Sequence, residues 1–228
     1  MKTMNATLRH GLLALAAIAL AGCETAPKQA EVARADGAVI AIQLKGIGAL
    51  GALSTQTPTS AFFIKLEGGS LIGEDLLRSN FEKDGRLYLL NAAPGTYAVV
   101  ASAATQPSPF TYGSPGQAVT FFSRDLVELT RVSVKPNELA FVGKFEVTLS
   151  MAISGGDEVQ LHYRKLITPA APPGGFLKGM LQAMGGDTSA WGSPRSSDKS
   201  AAARADFVTL AREDLAGQGW DARLNASP

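Results

Sequence analysis

From Gly37 to Leu166 apolar side chains recur at every second position in short runs, and most runs are closed by glycine, proline or an Asp-Gly pair. A period of two belongs to extended chain with one buried face, so this stretch is restricted to β structure with tight turns. The clearest run is Leu139 to Ser150. There Phe141, Gly143, Phe145, Val147 and Leu149 share one face, and Lys144, Glu146 and Thr148 share the other. One apolar and one charged face describe a sheet that buries one side and wets the other. Similar runs predict strands over Gly37–Lys45, Ala61–Glu67, Arg86–Leu90 after the Asp84-Gly85 turn, Ala118–Ser123 and Leu126–Val134. Past Gly155-Gly156, Val159, Leu161, Tyr163 and Lys165 alternate with Glu158, Gln160, His162 and Arg164, which predicts a hairpin partner for the preceding strand. Glu74–Phe81 shows no decisive period and fits either a short helical turn or an irregular crossing.

The N-terminus has three graded parts. Lys2, Arg9 and His10 come first, an apolar run from Gly11 to Ala21 follows, and small residues lead up to Cys23. This is the layout of a secretory signal, and the apolar run is shorter than the roughly 20 residues a spanning helix needs. Leu20-Ala21-Gly22-Cys23 resembles the lipobox of bacterial lipoproteins, with Cys23 at the cysteine position of that pattern. The resemblance implies a lipid on the Cys23 sulfur, cleavage before Cys23 and an acylated new amino terminus. Glu24 follows Cys23 where an aspartate tends to retain such proteins at the inner membrane, so the resemblance points to the outer membrane, with the periplasmic or external face left open. Two or three acyl chains at about 0.8 kcal/mol per buried methylene make such an attachment persistent. Cys23 is the only cysteine, so no disulfide forms within the chain. Glu24–Asp36 is small, polar and charged without a hydrophobic period, which reads as a flexible tether.

A second resemblance rests on Asn91-Ala92-Ala93-Pro94-Gly95-Thr96-Tyr97, where proline and glycine preset a type II turn and a strand leaves with Tyr97, Val99 and Ala101 on one side. It is similar to the Pro-Gly-x-Tyr segment of transthyretin-like and other Ig-like sandwiches. With Leu139–Phe145 it also resembles uncharacterised bacterial lipoproteins with a sandwich body. The expected fold is therefore mainly β, an antiparallel β-sandwich (transthyretin-like or Ig-like) over residues 37–168, with short C-terminal helices. Residues 1–22 are the signal, 23–36 the lipidated tether, 169–199 a Pro/Gly-rich linker with a short helix, and 200–228 a C-terminal helix and tail. In the linker, Phe176, Leu177, Met180, Leu181 and Met184 share one helical face. In the tail, Ser200 caps a helix that Gly217 stops, with Phe207, Leu210, Ala211 and Leu215 as its stripe and Trp220 packing beyond its end.

Charge and residue types exclude several chemistries. Removing residues 1–22 takes away Lys2 and Arg9 and leaves 19 basic against 20 acidic residues. A near-neutral chain lacks the basic patch that nucleic acid requires. Gly46-Ile47-Gly48-Ala49-Leu50-Gly51 matches the glycine pattern of dinucleotide-binding folds, but Ser54–Ser60 stops any helix within two turns, so the match reads as a glycine-rich loop and no cofactor is expected. With Cys23 lipidated no thiol nucleophile remains, and His162 is the one histidine past the signal, so neither a catalytic residue nor a metal site is expected. No Gly-x-Ser-x-Gly elbow occurs. Carboxylate neighbours such as Glu74-Asp75 read as solvated charge, although a hydrolase built from distant carboxylates would need them to converge in one cleft. The loop Ala104–Gln117 carries Phe110 and Tyr112 among prolines and glycines, which makes these two aromatics the candidate binding residues. The sequence thus reads as a lipid-anchored, non-enzymatic envelope module that is protein-binding, accessory or structural, with another envelope protein as the expected partner. A glycan or small ligand at Phe110 and Tyr112 is the alternative.

Overall fold

The computed structural model describes residues 34–48, 51–106, 116–152, 155–168 and 188–221. Among them eleven strands form a sheet that three helices flank. The strands are β1 (Ala38–Gly48), β2 (Gly51–Gln56), β3 (Ser60–Lys65), β4 (Leu76–Arg78), β5 (Phe81–Lys83), β6 (Arg86–Ala92), β7 (Gly95–Gln106), β8 (Gly116–Phe122), β9 (Val132–Val134), β10 (Leu139–Met151) and β11 (Thr188–Asp198). The helices are α1 (Arg124–Leu129), α2 (Glu158–Ile167) and α3 (Ala201–Asp214).

The sheet runs β4-β3-β7-β8-β11-β10-β1-β6-β5, with β2 on β1 and β9 on β7. The chain is mainly β, as expected, but its sheet is mixed and not purely antiparallel, because β1 lies parallel to β10 and β11 parallel to β8. The two ends of the order, β4 and β5, are separated in the chain only by Ser79 and Asn80. A sheet whose edges are joined by two residues must curl until those edges approach one another. The inside of the curl is filled: a void of only about 10 Å³ lies between Leu44 and Val147 on one side and Ser102, Ala104 and Thr120 on the other. That is the space of about one water, so the curl holds a core and not a channel.

Alternation on β1 divides the apolar side chains between two cores. Ile40, Ile42 and Leu44 join Phe63, Leu87, Val99, Phe121, Phe145 and residues of α1 and α2. Val39 and Ala41 face the other way, with Tyr88, Leu90 and Leu139, under Phe207, Ala211, Leu215 and Trp220. α3 therefore covers the outer face of β1, β6 and β10. Phe141 stacks on Phe207 at 4.6 Å, on the opposite side from Phe145. A strict period of two puts them on one face. A bulge separates them, since Ala41 pairs with Phe141 and Ile42 with Gly143, so Val142 is an extra residue that reverses the alternation.

Three expected elements differ. The predicted strand Leu126–Val134 is α1 followed by β9, because Ser123 accepts from the Leu126 N–H and starts a helical turn. The predicted hairpin strand Glu158–Leu166 is α2. Asp157 and Gln160 form a reciprocal capping box, and burial falls on Val159 and Tyr163, four apart, while Leu161 is exposed. Within the expected linker, Thr188–Asp198 is β11, in the middle of the sheet. Gly192 suits that place, since a Cβ there would meet Thr120 Cγ2 at 2.7 Å and Val147 Cγ1 at 2.9 Å. At the Pro94-Gly95 turn Gly95 has φ +154°, and the left-handed step lies upstream at Asn91, φ +62°. Glu74–Phe81 resolves into β4 and the start of β5. No helix among the described residues is long and apolar enough to cross a membrane.

Candidate functional site

A depression of about 1000 Å³ opens where the curl fails to close, between β4 and the C-terminal half of β6. β5 covers β6 only from Arg86 to Tyr88, which leaves Leu89–Ala92 without a strand on that side. Asn80 fills part of the gap. Its amide nitrogen donates to the Leu90 carbonyl at 3.1 Å and its oxygen accepts from the Leu90 N–H at 2.8 Å, so a side chain does the work of one ladder position.

The outer wall is the segment between β3 and β4, and α2 holds it. The Tyr163 hydroxyl donates to the Leu71 carbonyl at 2.9 Å and accepts from the Gly73 N–H at 3.1 Å. His162 Nε2 donates to the Gly73 carbonyl at 3.2 Å. Burial pushes the Tyr163 phenol above its usual range, and the Gly73 bond offsets part of that. His162 thus serves as a clamp on the cleft wall, set on a helix and not on the expected polar strand face.

The floor is apolar and buried, with Ile64, Leu89 and Tyr97. The Tyr97 hydroxyl donates back to the Ala93 carbonyl at 2.7 Å, and burial raises its phenol. The rim exposes Leu77 and Leu166, at 38% and 40%. Three carboxylates, Glu67, Glu74 and Asp75, line the same cleft. Three cations line it too: Arg34 is bonded to Asp36 at 3.2 Å, Arg78 donates to Ser60 Oγ at 3.1 Å with its guanidinium over the Phe62 ring, and Lys65 stands on β3.

A second depression of about 540 Å³ runs over Gln43, Lys45, Lys144, Glu146, Ser196 and Asp198. Its charges are exposed and already offset one another, as in Lys45–Glu146 at 3.8 Å. The most buried charge cluster is a fastening. Arg86 makes a two-point contact with Asp214 at 2.6 and 2.8 Å, and the Tyr88 hydroxyl donates to the same carboxylate at 2.5 Å. The hydrogen bonds to Asp214 hold Arg86 well above its usual range, so its charge is permanent. Both side chains are sealed between β6 and α3, out of reach of a substrate.

Among the expected site residues, Cys23, Phe110 and Tyr112 lie outside the described residues, as does the apolar helical face Phe176–Met184. Of the glycine-rich match, Gly46–Gly48 closes β1 and Gly51 opens β2, and the two strands pair antiparallel. Among the described residues no group of three or more His, Cys, Asp or Glu side chains is placed to hold a metal ion. The cleft itself escaped sequence reasoning, because it is made by two strand edges that meet only in the fold. Its one sequence signal was Gly68-Gly69 followed by Glu74-Asp75, a small and acidic stretch between strands. No protein-family model, curated protein or solved structure matches the chain.

Proposed function

We propose that this chain is a lipid-anchored, non-enzymatic module of the cell envelope, held at the outer membrane through Cys23, that binds another envelope protein at the cleft between β4 and β6. The observation that carries the reading is the composition of that cleft. Exposed Leu77 and Leu166 stand beside carboxylates over an apolar floor, next to a strand at the end of the sheet order. Apolar side chains exposed at the rim of a concave site favour a protein surface as ligand. Arg34 lines the cleft and stands 11 residues after Cys23, a reach of at most about 40 Å, so the anchor and the cleft belong to one face of membrane. At the corner before β7, the Tyr97-to-Ala93 bond supports the likeness to Ig-like sandwiches, in which such a tyrosine closes a turn.

The test has two parts. Cys23→Ser should move the protein from the membrane fraction to the soluble fraction, or leave it unprocessed. A photo-crosslinker at position 77 in intact cells should yield one discrete protein adduct. Unchanged membrane attachment ends the anchor reading, and an absence of adducts from position 77 and from every other exposed position ends the binding reading.

A carboxylate-based hydrolase is the second reading, favoured by Glu67, Glu74 and Asp75 lining one cleft. Turnover of chromogenic glycosides that disappears in Glu74→Gln or Asp75→Asn would establish it, and no turnover by the native chain removes it.

A further inference from the structure

β4 carries backbone groups that the fold leaves unused. In its register with β3, Phe62 stands opposite Arg78, Phe63 opposite Leu77 and Ile64 opposite Leu76. One step beyond, the Ser79 N–H donates to the Ala61 carbonyl at 2.8 Å. Opposed residues of an antiparallel pair alternate between bonded and non-bonded, so Phe63 and Leu77 are bonded, while Leu76 and Arg78 turn their N–H and C=O away from β3. The Glu74 carbonyl takes the Leu76 N–H at 3.0 Å. That leaves the Leu76 carbonyl and both backbone groups of Arg78 directed into the cleft, with no ladder partner among the described residues. On the facing wall the equivalent groups of Leu90 are already satisfied by Asn80. The cleft is therefore one-sided at this level, with β4 able to extend a sheet and the Leu90 position of β6 already occupied by Asn80.

We infer that the cleft receives an extended segment of the partner protein, which adds to the sheet as a strand along β4. In this mode the backbone bonds supply affinity and alternate side chains supply selectivity. The side chains around the edge define that selectivity. Among the described residues Glu67, Glu74 and Asp75 form no ion pair, Arg34 is paired with Asp36, and Lys65 and Arg78 are the remaining cations, Arg78 held by Ser60 and Phe62. With Arg34 paired to Asp36, the cleft sets three carboxylates against Lys65 and Arg78, a balance of one negative charge. The segment accordingly carries Lys or Arg against these carboxylates, and apolar residues against Leu77 and Leu166. The unused edge is itself short and charged, at three residues with Arg78 at its end, which limits indiscriminate pairing with other edges. The inference rests on the protein-binding reading and names its surface.

The backbone donor can be removed without disturbing the internal ladder. Arg78→Pro deletes an N–H that no internal acceptor uses, and Arg78→Ala keeps that N–H while removing the side chain. Peptides selected from a random phage-displayed library on the full chain are the probe. The expected sequences combine basic and apolar residues. They should bind Arg78→Ala at least as tightly as native chain, since that variant removes a like charge, and bind Arg78→Pro about tenfold or more weakly than Arg78→Ala, the scale of a lost backbone bond. In the native chain, peptide addition should slow amide exchange at Arg78, a readout that stands even if the proline variant fails to fold. Equal binding by the proline and alanine variants, unchanged exchange at Arg78, or a library that yields no binder overturns the strand-addition inference. A partner crosslinked in cells from Ala205 on α3 but not from position 77 overturns both the strand addition and the cleft as the binding site, while leaving protein binding at another surface.

Discussion

Arg86 and Asp214 show at the scale of single residues what depth does to an ion pair. Their side chains are 10% and 4% exposed, and the carboxylate also accepts from Tyr88. Exposed pairs such as Lys45–Glu146 contribute about 0–1 kcal/mol each. Removing one partner of a sealed pair costs about 3–5 kcal/mol, since the remaining charge is left buried alone. Asp214→Ala should therefore lower the unfolding free energy by that amount in urea titrations, and Glu146→Ala by less than about 1 kcal/mol. The tyrosines add a pH dependence. Burial, with the Asp214 bond second, pushes Tyr88 far above its usual 10.0, and burial raises Tyr97 and Tyr163 in the same direction. A phenol whose folded pKa is raised contributes stability that is complete below the unfolded value and is lost as pH climbs past it. Thermal midpoints should accordingly hold steady up to about pH 10 and fall above it, with tyrosinate absorbance at those three residues appearing only as the chain unfolds. A linear phenolate titration in the folded chain, with unchanged midpoints, would contradict this.

Among the elements, β10 is governed by its bulge. Gly143 has φ +139°, and a Cβ there would meet Phe145 Cε2 at 2.9 Å and Lys199 Cγ at 3.0 Å. The glycine lets Val142 stand out of register, which sends Phe141 to α3 and Phe145 into the curl. Gly143→Ala should destabilise by about 1–3 kcal/mol, read as a lower urea midpoint with an unchanged slope. A neutral result would show that the strand relaxes around the bulge. Elements differ in how plainly the sequence announces them, for identifiable reasons. β1, β3, β6 and β10 are legible because each alternates over a buried and a wetter face, and α3 because Ser200 and Gly217 mark its ends. α2 was concealed by a coincidence of periods, since Val159 and Tyr163 are four apart and satisfy both a strand face and a helix stripe. The deciding signal was the Asp157–Gln160 box, which lies outside the apolar pattern. β11 was illegible for another reason. Ser-Ala-Trp-Gly-Ser-Pro-Arg carries neither alternation nor β-branched residues, and its place follows from neighbours that need a small backbone beside them. The cleft is legible in the sequence only as composition, because the edge that makes it depends on the register between β3 and β4.

At the scale of the whole molecule, β11 decides whether there is one folded body or two half sheets. On one side of it lie β8, β7, β3 and β4, and on the other β10, β1, β6 and β5. Its pairs with Ala118–Phe122 and with Lys144–Met151 join the halves along the sheet. Beyond it, α3 and Trp220 close the second core over Val39, Tyr88 and Leu139. A texture that looks like a linker and tail in the sequence thus supplies the central strand and one of the two covering layers. The prediction separates the alternatives. A chain ending at residue 187 should show no cooperative thermal transition by circular dichroism, because the open edges of β8 and β10 and the uncovered face of β1 leave too little buried apolar surface to offset chain entropy. A chain ending at Asp221 keeps every described element and should melt within a few degrees of the full chain, about the shift expected for loss of less than 1 kcal/mol. If the chain ending at 187 melts cooperatively, β1 to β10 form an autonomous domain, and β11 with α3 is an addition docked on a sheet already complete.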